Sequence, residues 1–154
     1  MDGARQSAAS PETFAMRQAV DLLSVQTSGR GLIEITSEVA DWLLRQNIST
    51  GLLTLFCRHT SASLLIQENA APAVRTDLEA FFSEIAPEDP TRYVHNDEGP
   101  DDMPAHLRTA LTSVNLAVPI IRGAPALGTW QGVFLFEHRR RPHRREVALH
   151  VIGE

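Results

Sequence analysis

Apolar positions along the chain fall into alternating stretches, which predict strands, and 3–4-spaced stretches, which predict helices. From Phe14 to Val25, Met16, Val20 and Leu22 share one parity, so the segment reads as a strand. Ser28–Gly31 reads as a turn that returns Leu32–Ile35 as a short second strand. Thr36 or Ser37 then caps a helix whose inward stripe is Val39, Trp42 and Leu43, ended by Asn47. Gly51–Cys57 is apolar on both parities, the pattern of a central strand covered on both faces. Leu64–Ile66 resumes that strand after a polar break at His59-Thr60-Ser61-Ala62-Ser63.

The most regular amphipathic pattern follows Pro72, with Val74, Leu78, Phe81, Phe82 and Ile85 on one helical face. Pro87 and Pro90 stop it. Beyond a loop, a short helix over Ala105–Thr112 leads to a strand over Val114–Ile121, which Pro119 pushes toward a sheet edge. In Gly128–His138, the even positions Trp130, Phe134 and Phe136 face the core, and Thr129, Gln131 and Glu137 form a polar file opposite. Arg139–Arg145 is a turn, and Val147–Ile152 closes the sheet. Residues 1–13 are small and polar and read as a mobile tail, leaving 14–154 as a single domain without repeats.

A chain of 154 residues with 43% hydrophobic and 21% charged content is that of one globular domain. No apolar run approaches a membrane span, and the leading residues lack the apolar core of a signal peptide, so a cytoplasmic protein is expected. The lone Cys57 allows no intrachain disulfide and reads as a small buried hydrophobe. A net charge of −5 argues against general nucleic-acid binding, which rests on neutralising phosphates.

The chemistry concentrates in the loop from Tyr93 to His106. His95, Asp97, Glu98, Asp101, Asp102 and His106 crowd a segment that Gly99, Pro100 and Pro104 keep out of regular structure. Asp101 or Asp102 can cap the next helix, which places His106 in its first turn on a Leu107, Ala110 and Leu111 face. Fixed imidazoles beside carboxylates make a candidate metal or acid–base site; a solvated acidic loop is the alternative. His59 is either a core histidine or, with the hydroxyls of Thr60, Ser61 and Ser63, part of a phosphate or carboxylate site. Arg139–Arg145 is a solvated hairpin tip or a phosphate-binding fork.

These segments together resemble the YjbQ family, also termed secondary thiamine-phosphate synthases. The resemblance rests on His59-Thr60-Ser61-Ala62-Ser63-Leu64, Glu68-Asn69, Asp101-Asp102-Met103-Pro104 with His106, Gly128-Thr129-Trp130-Gln131-Gly132 and Glu137-His138-Arg139. Ala71 and Leu65 depart from the family pattern. The resemblance implies an α+β fold with a mixed, sandwich-like sheet and flanking helices, assembled as a homotrimer. It also implies weak thiamine-phosphate synthesis, joining a pyrimidine pyrophosphate to a thiazole phosphate. A divalent Zn, Mn or Mg ion is then expected on His59, His95 and His106, with Asp101 and Asp102 orienting the imidazoles. Thr60, Ser61, Ser63, Asn69, Thr129, Gln131 and Arg139 would hold the phosphorylated substrate, and His59, His106 and Glu137 would be catalytic. A non-enzymatic binding module or a metal-dependent hydrolase remain alternatives.

Overall fold

The computed structural model describes residues 15–154, so the expected tail over 1–13 lies outside the described residues. Two antiparallel sheets face each other. One takes β1 (Arg17–Gln26), β8 (Arg144–Gly153), β3 (Thr50–Cys57), β5 (Asn115–Ile121) and the two-residue β6 (Ala124–Pro125), in that order. The other is β2 (Gly31–Glu34), β7 (Gln131–Glu137) and β4 (Ala62–Glu68). The helices are α1 (Thr36–Gln46), α2 (Pro72–Ile85) and α3 (Asp102–Leu111). The α+β sandwich is thus present, but each named ladder is antiparallel rather than mixed.

Between the sheets lie Leu53, Leu55 and Cys57 of β3, Val147, Leu149 and Val151 of β8, and Val133 and Leu135 of β7. Val39, Trp42 and Leu43 of α1 join that core as their spacing predicts, and Asn47 ends the helix in the left-handed conformation. Thr36 does not cap α1. Its hydroxyl bonds Glu34 and accepts the Val133 amide, tying α1 to β7.

Several expectations fail for a common reason: the parity carrying apolar residues is not the one that faces the core. Val20 and Leu22 of β1 are 70% and 50% exposed, while Leu23 and Val25 point inward. β3 is covered on one face only, since Leu52 and Phe56 are 41% and 48% exposed. In α2 only Phe82 is buried, packed edge-on to Phe136 at 5.4 Å, and Phe81 and Ile85 stay exposed. β7 is buried on both faces, its odd side in the inter-sheet core and its even side under α2, whereas Trp130 is exposed.

Pairings differ as well. β2 joins β7 instead of returning along β1, because the chain crosses between sheets at Thr27–Arg30. β8 lies inside its sheet between β1 and β3 rather than closing an edge. The polar break at 58–61 is likewise a crossing, so β4 is a new strand of the second sheet. These crossings set the site. The ends of β3 and β7 and the starts of β4 and β8 meet at one end of the sandwich, with α3 beside them.

Candidate metal centre

α3 begins at Asp102, one turn earlier than its apolar pattern suggests, and buries Asp102, Pro104, Ala105 and Arg108 rather than the Leu107, Ala110 and Leu111 face. His106 therefore sits in the second turn, four residues from Asp102 on one side of the helix. The Asp102 side chain is 3% exposed. Its Oδ2 accepts a hydrogen bond from His95 Nε2 at 2.8 Å and lies 3.4 Å from His106 Nε2, so an ion shared by these atoms would displace the His95 Nε2 proton. The three donor atoms fall within 4.8 Å of one another, close enough to share one ion.

Two of the three ligand candidates, His106 and Asp102, are held from behind. His106 Nδ1 lies 2.9 Å from the Thr60 carbonyl. A carbonyl only accepts, so Nδ1 donates that bond and Nε2 is the ring nitrogen turned toward Asp102. The other oxygen of Asp102 takes the Arg139 guanidinium, which also donates to Asp101 Oδ2 at 3.1 Å and to the Glu98 carbonyl at 3.0 Å. Burial works against the charge of Asp101, but the Arg140 amide and the Arg139 guanidinium hold its carboxyl below the usual range.

The other expected site residues part company. His59 does not reach the cluster, because its Nε2 accepts the Glu146 amide at 2.8 Å. Asp101 touches Arg139 and not an imidazole, whereas Asp102 stands among the ligand atoms themselves. Thr60 contributes its carbonyl, and Ser61 is gripped through Oγ and its carbonyl by Arg145. Ser63 is fully buried against His138. Glu137, expected as a base, is fully buried and spends its oxygens on Arg145, Thr27 and the Arg139 amide. Asn69, Thr129 and Gln131 stand at the opposite end of β7, about 20 Å away at about 3.3 Å per strand residue. There Asn69 bonds Glu34, and Gln131 accepts the Gly128 amide. Within one chain, the expected single site is two.

Three buried polar residues escape the hydrophobic pattern. Arg145 has the inward parity of Val147, Leu149 and Val151, a signal masked by the run of arginines in which it sits. Arg108 follows Ala105 at helical spacing and pairs with Glu79 and Ser83. His138 sits fully buried, its Nε2 2.8 Å from Ser63 Oγ and its ring centroid 4.4 Å from that of Phe136. Burial, reinforced by the charges of Arg108, Arg145 and Arg30, pushes its pKa from 6.5 to about 3. In that window the unfolded chain binds a proton that the folded one refuses. Stability from His138 is therefore complete above pH 6.5 and lost as pH falls toward about 3. Between pH 6 and 5 the urea unfolding free energy of the wild type should fall about 1 kcal/mol more than that of His138→Gln. Parallel profiles would show that His138 is not held neutral.

A small antiparallel sandwich with a histidine–carboxylate cluster at one end thus defines the molecule. The family described as "UPF0047 protein YjbQ-like" matches residues 21–154, and the chain belongs to it. UPF0047 protein sll1880 of Synechocystis sp. is 54% identical over 138 residues, 90% of this chain and 94% of that protein. UPF0047 protein YjbQ of Salmonella typhimurium is 41% identical over 133 residues, 86% of this chain and 96% of that protein. A YbjQ-like protein of unknown function from Sulfolobus solfataricus shares the fold with a TM-score of 0.84 at 23% identity, over 91% of this chain and all of that one (100%). Among the described residues no helix is long and apolar enough to cross a membrane.

Proposed function

We propose that this protein is a divalent-metal-dependent enzyme acting on a small phosphorylated molecule, with weak thiamine-phosphate synthesis as its assayable reaction. The observation that carries the reading is the convergence of His95 Nε2, Asp102 Oδ2 and His106 Nε2, with the His106 ring held in place by the Thr60 carbonyl. Two imidazole nitrogens and a carboxylate oxygen suit Zn²⁺ or Mn²⁺ better than Mg²⁺, which prefers oxygen ligands. An ion held there supplies charge neutralisation for a departing pyrophosphate. The chain's own part is positional. Thr60 fixes the His106 ring, and Arg139 holds Asp102 in place while offsetting its charge.

Incubating purified protein with the pyrimidine pyrophosphate, the thiazole phosphate and Zn²⁺, Mn²⁺ or Mg²⁺ should give slow, protein-dependent thiamine phosphate. His95→Ala should reduce it to background. Product no faster than buffer with every ion would overturn the synthase reading. A metal-dependent hydrolase is the second reading, favoured because three protein ligands leave a coordination position open for water. Ion-dependent phosphate release from esters, without synthesis, would decide for it; metal binding without either reaction would leave a binding module.

The same proposal includes a homotrimer. Its support is the outer face of the five-stranded sheet, where Val20, Leu22, Leu52, Ile121 and Ile152 lie exposed. Light scattering at micromolar concentration should return about three times the 17.0 kDa chain mass. A monomer would refute it.

A further inference from the structure

The tautomer of His59 points to a second subsite beside the metal centre. A backbone amide only donates, so the 2.8 Å bond from the Glu146 amide makes Nε2 the acceptor and leaves the proton on Nδ1. Burial, then the charge of Arg145, lowers the pKa of this imidazole and so favours its neutral form. Its remaining capacity is one N–H donor, aimed by the backbone and without an acceptor among the described residues.

His59 lines a cavity of about 440 Å³ together with Phe56, Cys57, Arg58, Thr60 and Val114. Its polar residues His59, Thr60 and Arg58 all carry donors, the Arg58 guanidinium giving Nη1 to Glu146 at 3.0 Å. Phe56 and Val114 supply an apolar wall, and no carboxylate lines the cavity. The same Thr60 residue holds His106 through its carbonyl, so cavity and metal centre flank one stretch of backbone.

We propose that this cavity is an anion subsite for an aryl or heteroaryl phosphate monoester, with His59 Nδ1–H and Arg58 holding the phosphoryl oxygens. The ester's ring lies against Phe56. The proposal rests on the reading of a phosphorylated substrate and deepens it, because it assigns His59 to the ligand rather than to the ion.

The test is a titration of phenyl phosphate into metal-free full-length protein, followed by NMR of the histidine rings. Saturable binding should perturb the His59 ring, with inorganic phosphate about tenfold weaker for want of apolar contact. His59→Ala removes the ring donor, and Arg58→Ala removes the guanidinium while leaving the bond from the Glu146 amide to His59 intact. Each should weaken phenyl phosphate binding about tenfold or more, Arg58→Ala at an unchanged melting temperature. His95→Ala should bind phenyl phosphate like the wild type. Absence of saturable binding, or wild-type affinity in both His59→Ala and Arg58→Ala, overturns the subsite. Saturable binding by a protein that takes up no divalent ion would sink the metal reading and leave the subsite standing.

Discussion

His106→Ala and His95→Ala should each lower divalent-ion affinity by on the order of 100-fold or more, while His59→Ala stays within a few-fold of wild type. The first two remove a nitrogen from a three-atom donor set. Merely supporting residues around metal ligands already carry 10–100-fold effects, so loss of a ligand sets a higher floor. His59 has its Nε2 committed to the Glu146 amide and stands outside that set. Elemental analysis after dialysis against a weak chelator reads the difference, and circular dichroism should be unchanged because both cluster imidazoles lie at the surface. Acidification should release the ion from the wild type, since protons compete for the same ring nitrogens. Equal metal content in the wild type and both cluster variants would leave these histidines without an ion.

What was legible in the sequence follows from how each signal arises. α1 was readable because its stripe of Val39, Trp42 and Leu43 has a single partner, the core. The strand faces were not, because β1 and β3 carry apolar residues on both parities and only one meets the second sheet. A pattern shows that a residue is apolar, and not whether its own chain or another surface covers it. α2 misled in the same way, with Phe81 and Ile85 left outside.

The loop from Tyr93 to His106 was legible as chemistry by composition alone, and two of the three expected histidines meet there. The fate of His59 was not readable. It depends on the backbone of Glu146, a residue 87 positions away that a β3–β8 ladder brings alongside. Gln131 and Glu137 illustrate a further limit. They share a parity, so the sequence puts both on one face, yet six residue steps along a strand carry them to opposite ends of it.

Glu137→Ala should cost about 3–5 kcal/mol, the range for removing one partner of a buried ion pair. Glu137 is fully buried, and its oxygens lie 2.6 and 2.7 Å from the Arg145 guanidinium, itself 5% exposed. The alanine leaves that guanidinium in the core without its counter-charge and takes the acceptor from the Arg139 amide, while the Thr27 hydroxyl keeps His143. For a chain of this size each kcal/mol moves the melting temperature by roughly 2–4 °C, so a drop of about 6–20 °C is expected. Burial disfavours the carboxylate, but Arg145, the Arg139 amide and Thr27 outweigh it and hold the pKa below 4.5. That contribution is therefore complete above pH 4.5 and fades as pH falls toward the lower folded value. The loss should also reach the metal centre, because Arg145 grips Ser61, whose neighbour Thr60 fixes the His106 ring. At a temperature where the variant is still folded, ion affinity should fall about tenfold, the scale of a supporting residue. Activity lost at wild-type stability and wild-type metal content would instead restore Glu137 as a base and refute its role as a buried strut.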